Sequence, residues 1–218
     1  MTRQRLFAGL VCLAGALPTA RGADVETRHF NVTIDGKEAG TYKLTMQHDQ
    51  GTSTITGQAN VRFRVFVINY TYTYSGREVW KDGRLQSLDS QTNDDGKRFT
   101  VSARAENNSL RVVSNGQQKL TRGDIWTTSY WRLAPAQFRN QPVPLIDNDT
   151  GRDIHATLHY IGVEPVRACG TTQNYAHYQV RGGGLNVDVW YDGNDTLVRQ
   201  ESIEEGHRSV LELTQVTK

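Results

Sequence analysis

Three tyrosines at alternate positions, Tyr70, Tyr72 and Tyr74, are the residues whose type and spacing best suit recognition chemistry. Side chains two apart on a strand share one face, so the phenols form a wall. Such a wall stacks against an apolar or ring-bearing molecule and offers hydroxyls to its polar end. Aromatic rows also arise from ordinary strand packing, so the row is a candidate only. A second group, Trp126 and Thr127 to Trp131, stands within the stretch that carries Pro135, Pro142 and Pro144. It suits a lid over one end of a barrel or a plug that closes it, and only the lid leaves a cavity behind. With Trp190 from a C-terminal strand, the expected ligand contacts are Tyr70, Tyr72, Tyr74, Trp126, Tyr130, Trp131 and Trp190. The expected partner is a hydrophobic small molecule or a lipid.

The other chemistry-bearing residues point to less. Cys169, followed by Gly170 and with His177 further on, has the types of a thiol nucleophile and its base. A reactive thiol needs an electropositive setting such as a helix N-terminus, and no helix is expected nearby. His155 and His159 have the helical spacing of zinc ligands, but Ala156, Thr157 and Leu158 alternate as a strand does. Four strand residues separate the imidazoles by ~13 Å, too far for one metal. Asp147 to Asp153 resembles a calcium loop, yet its glycine comes one residue early and the twelfth position holds no glutamate. An acidic turn tied by Asx hydrogen bonds fits better. Asn31, Asn69, Asn148 and Asn194 begin glycosylation triplets of the kind that chance supplies often. No catalytic residue, metal ligand or cofactor is assigned from these patterns.

The elements that must position these residues are strands. Leu185, Val187 and Val189 alternate with Asn186, Asp188 and Trp190, and a polar turn then leads to a return strand from Leu197. His207 to Val216 completes a C-terminal meander. Phe30, Val32 and Ile34 open the first hairpin, with Asp35 and Gly36 as its turn. Between Thr52 and Trp80 turn residues are almost absent, and the apolar positions change from odd (Val61, Phe63, Val65, Val67) to even (Phe66, Ile68, Tyr70). That change predicts a bulge or corner within a long strand. Turns are expected at Ser75–Gly76, Asp82–Gly83, Asp94 to Gly96, Asn107–Asn108, Asn115–Gly116 and Gly162. Residues 121–150 break the pattern, because proline cannot donate to a ladder, and Leu133 to Arg139 allows at most a short helical turn. The expected fold is all-β: an antiparallel meander of roughly ten strands, curled into an open or incompletely closed barrel.

The first 22 residues have the parts of a secretory leader: Arg3 and Arg5, an apolar run from Leu6 to Leu17, and small residues at Ala20 and Gly22. Cleavage there leaves residues 23–218 as a single domain in the periplasm or secreted. The apolar run is shorter than a membrane-spanning helix, and no later segment approaches that length without charges, so no transmembrane segment is expected in the mature chain. The precursor's formal charge of +2 comes from 25 bases and 23 acids. Losing Arg3, Arg5 and Arg21 leaves 22 bases against 23 acids, a net −1, which gives no basic groove for nucleic acid. Cys169 alone remains of the two cysteines, so stability must come from the core rather than a disulfide.

Several stretches carry a resemblance. Thr128, Ser129, Tyr130 and Trp131, then Leu145 to Arg152, then Gly162, Val163 and Glu164, and finally Val189 to Asp192 resemble an exported bacterial family catalogued as a domain of unknown function, DUF6134. That family is related to DUF3108-like periplasmic β domains and is more distantly similar in shape to envelope lipid carriers. The resemblance implies export and a curved antiparallel sheet, and it carries over no catalytic residue. Three functional readings follow: a non-catalytic binder of a hydrophobic molecule, a hydrolase or isomerase using a carboxylate or Cys169 in the same cavity, and an interaction protein with a filled core.

Overall fold

The computed structural model of the protein describes residues 23–65 and 68–218, and the expected leader, residues 1–22, lies outside them. The fold is all-β, as the alternation predicts, but among the described residues it has fifteen strands rather than ten. β1 (Asp24–Ile34) and β15 (His207–Thr217) pair at the middle of one sheet, and each heads an arm. The first arm continues through β2 (Lys37–Asp49), β3 (Thr52–Val65), β4 (Ile68–Lys81), β5 (Arg84–Asp94), β6 (Lys97–Glu106) and β7 (Ser109–Ser114) to β8 (Gln117–Arg122). The second runs back through β14 (Leu197–Glu204), β13 (Leu185–Tyr191), β12 (Thr171–Gly182), β11 (Asp153–Ala168) and β10 (Gln141–Ile146) to β9 (Trp126–Thr127).

No ladder joins β8 to β9, so backbone hydrogen bonds leave the barrel open. Side chains fasten the seam instead. Ser90 donates to the Asn148 carbonyl, Thr92 to Asp149 Oδ1 at 2.7 Å, and Ser114 to the Thr150 carbonyl at 2.6 Å. Lys119 reaches Asp153 at 2.9 Å. The loop 147–153 thus latches one arm onto the other. It is itself an Asx turn, in which Asp147 accepts from the Asp149 amide (3.0 Å) and the Thr150 hydroxyl (2.8 Å).

Four expectations about local structure are corrected. The parity change near residues 65–68 marks a hairpin between two strands, with Val65 opposite Ile68, and no bulge or corner. Partners in this ladder, such as Phe63 and Tyr70 or Val61 and Tyr72, have numbers that differ by an odd amount, so an inward face that is odd on β3 becomes even on β4. Ser75–Gly76 is not a turn; Gly76 lies inside β4 opposite Gly57. Gly162 is likewise inside β11, where the register slips between Tyr160 and Gly162. Pro142 and Pro144 belong to strand β10, which pairs with β11 along its length and meets β9 only at Leu145 and Ile146. Proline's missing donor can face that unpaired side. The expected short helical turn is present, a 3-10 turn at Ala136–Phe138.

The barrel is packed at one end. Trp80, Leu85, Leu88, Leu110, Leu145 and Ile146 are fully buried there beneath residues 125–134. Burying a large apolar side chain contributes ~1.5–3 kcal/mol, so this end carries much of the stability.

Candidate functional site

The other end is hollow. A cavity of about 730 Å³ lies against the inner faces of β14, β15, β1, β2, β3 and β4. Tyr70, Tyr72 and Tyr74 form one wall, beside Ala59, Val61 and Phe63 of β3, to which they pair directly. Val32, Ile34 and Leu211 supply apolar surface, and Ser202 and Ser209 supply hydroxyls. The exposed residues Asp95, Lys97, Glu205 and His207 stand at the mouth, where hairpins end. The Tyr74 ring needs a strand without side chains beside it. A Cβ on Gly76 would come within 2.0 Å of Tyr74 Oη, and one on Gly57 within 2.8 Å of Tyr42 Oη. Glycine inside a strand is otherwise unfavourable, so its use here makes room for the rings.

The floor is polar and comes from the seam. Tyr72 donates to Asp149 Oδ1 at 2.9 Å, and Tyr70 donates to Asp94 at 2.7 Å. Asn148, only 4% exposed, donates through Nδ2 to Tyr74 Oη (3.1 Å) and to Glu78 Oε1 (2.7 Å). Glu78 is buried and also accepts from Trp80 Nε1 (2.7 Å) and Thr127 Oγ1 (3.1 Å). Burial raises its carboxyl, and the surrounding donors, Ser129 and Asn148 foremost, oppose this only in part. Burial also pushes Asp149 up to about 6, with Asp147 and Glu204 adding repulsion while Thr92 and Tyr72 pull it down. The three wall phenols are raised as well, chiefly by burial and then by the carboxylates and phenols around them, so they stay neutral donors and acceptors.

Residues 30–214 match a family described as "Domain of unknown function (DUF6134)". The chain belongs to this family. Among solved structures it is similar to a beta-barrel-like protein of domain of unknown function DUF1849 from Brucella abortus, with a TM-score of 0.64 and 10% identity. That similarity covers 88% of this chain and 96% of the other, and at such identity it shows the fold alone. No curated protein matches the chain.

The structure divides the sequence's aromatic candidates in this DUF6134 domain. Tyr70, Tyr72 and Tyr74 share the cavity wall. Trp126, Tyr130 and Trp131 do not line that cavity; they are buried in the plug at the packed end. There Trp80 and Trp126 lie with ring centres 4.8 Å apart, and the Arg132 guanidinium sits 5.2 Å from the Trp126 ring and 4.8 Å from that of Trp131. Trp190 points the other way from the buried Val187 and Val189. It stacks on His177 at 4.3 Å and reaches Glu164 at 3.2 Å, away from the cavity. The 121–150 segment is therefore both plug and floor: its tryptophans close one end, and Thr128, Ser129, Asn148 and Asp149 face the hollow. Cys169 is exposed at the β11–β12 turn, whereas His177 is buried on β12, eight strand residues or ~26 Å along the chain. The thiol and the imidazole do not meet, and neither borders the cavity.

Sequence reasoning missed Glu78 as a member of the floor network, and it read Asn148 and Asp149 as parts of an acidic turn, with Asn148 also opening a glycosylation triplet. One signal was present. Glu78 has the same parity as Tyr72, Tyr74 and Trp80, which places a carboxylate on an otherwise aromatic inward face.

Proposed function

We propose that this protein is a non-catalytic binding protein of the bacterial envelope that holds a hydrophobic or lipid-like molecule with one polar end. The observation that supports it is the hollow itself, about 730 Å³ between the tyrosine wall and the seam loop. Small-molecule pockets span roughly 300–1,000 Å³ and combine an apolar lining with a few convergent polar groups, as here. The envelope location rests on the leader-like residues 1–22. The test is native mass spectrometry of protein purified without detergent from its host, beside Ala59→Trp, whose indole would fill the cavity. A bound small molecule that is lost in the variant supports the reading. Repeated absence of any adduct from the natural protein overturns it.

One observation favours an enzyme: a cavity carboxyl at about 6 has a value suited to acid–base work. Its hydrogen-bond partner Tyr72 is held far above its ordinary value, however, and is no proton donor near neutral pH. Binding therefore accounts for more of the site than catalysis does.

A further inference from the structure

The unsatisfied polar atoms at the cavity floor are acceptors. Asp149 takes both its side-chain donors, Tyr72 and Thr92, on Oδ1, which leaves Oδ2 without a donor among the described residues. Beside it, the buried Asn148 spends both Nδ2 hydrogens on Tyr74 and Glu78, and its Oδ1 has no partner. Asn148 Oδ1 is closed off from the hollow, whereas Asp149 belongs to the cavity lining, so a cationic donor can make a charge-assisted hydrogen bond to its free Oδ2. The charge along the cavity has the same sense. Asp94, Asp95, Glu204 and Glu205 line it with Asp149, against Lys97 and His207 alone, and both of these are exposed at the mouth. His207 is already turned to Asp35 at 2.7 Å. The tyrosine faces are attractive to cations as well.

From this free carboxylate oxygen and the acidic lining we infer that the polar end of the ligand is a protonated amine, carried on an apolar body, and not a phosphate or carboxylate. The inference rests on the ligand-holding reading above and narrows it to one class. The ammonium sits at Asp149 Oδ2, and the apolar body lies along Val61, Phe63 and Leu211 towards the mouth. A phosphate or carboxylate in the same place would face the Asp149 carboxylate, with the basic lining residues Lys97 and His207 away at the mouth, which is a selective exclusion.

The test is isothermal titration of the full chain at pH 7.5 with three probes that share one tail: dodecylamine, dodecanol and dodecanoate, each below its micelle concentration. The amine is expected to bind about tenfold or more tightly than the alcohol, the margin of a charge-assisted hydrogen bond, and dodecanoate more weakly than both. In Asp149→Asn the amine-to-alcohol ratio should fall to about one, the loss expected for a charge-assisted pair. If that variant does not fold, the wild-type series decides. Equal affinity for amine and alcohol, or strongest binding of dodecanoate, overturns the amine inference and leaves the ligand-holding reading intact. If none of the three binds, the molecule found by native mass spectrometry decides: a basic nitrogen in it supports the inference, and an anionic molecule overturns it. An empty cavity there sinks both readings.

Discussion

Replacing Asp149 by Asn should make the protein more stable at neutral pH and leave it unchanged near pH 4. The carboxyl lies partly buried at the cavity floor, and burial with repulsion from Asp147 and Glu204 moves it from its ordinary 3.8 to about 6. An acid held above its unfolded value binds its proton more readily in the fold, so the folded state loses stability as pH rises from about 4 to 6 and then levels off. The displacement corresponds to roughly 3 kcal/mol at full burial, and residual solvent access brings this to about 2–3 kcal/mol. Asn fits the site without rearrangement, because Oδ1 already accepts both Tyr72 and Thr92 and the other position meets the cavity. In a domain of this size 1 kcal/mol moves Tm by ~2–4 °C. The Tm of the variant minus that of the natural protein should therefore grow by roughly 4–12 °C between pH 4 and pH 7.5. Differential scanning calorimetry across that range reads it directly, since the other carboxylates cancel in the difference. A difference that is flat with pH, or a variant less stable at pH 7.5 than at pH 4 relative to the parent, would refute the burial argument.

Three further outcomes follow from the same contacts. Glu78→Leu strands the Trp80 indole N–H and removes one acceptor each from Thr127 and Asn148, and should cost about 3–5 kcal/mol by urea denaturation; a loss below about 1 kcal/mol would contradict the network. Gly76→Ala drives its methyl group into Tyr74 and should cost about 1–3 kcal/mol while weakening dodecylamine binding, whereas unchanged binding and stability would show that the ring has room to move. Cys169→Ser should leave both stability and binding within error, because the thiol is exposed at a turn far from the hollow, and a lost activity with intact fold would reopen the thiol chemistry.

What could be read from the chain was local. Two-residue turns announce themselves through Asp–Gly and Asn–Gly, and Asp35, Asp82, Asp95 and Asn115 all adopt the positive φ that such hairpins require. Cys169, with φ near +48°, does the same work before Gly170 without the usual residue type, so no turn was expected there. Alternation placed Tyr70, Tyr72 and Tyr74 on one inward face. The errors came where a residue answers to a distant neighbour. Gly76 looked like a turn because its reason, the ring of Tyr74 lying over it, is a three-dimensional fact. Pro142 and Pro144 looked like strand breakers because nothing local says that β10 has a free side. Trp126, Trp131 and Trp190 have the same composition as a ligand wall, and only packing sends two into the plug and one to the outer face. The polar floor was the least legible, since Glu78, Asn148 and Asp149 meet across some seventy residues of chain.

The central claim is that the hollow end of the barrel is occupied in the cell by one molecule. A crystal structure of protein purified from its host without detergent tests it most directly. The expected result is continuous density along Tyr70, Tyr72 and Tyr74 that ends within hydrogen-bond distance of Asp149 Oδ2. A cavity containing ordered water alone, or collapsed by inward movement of the tyrosines, would contradict the account.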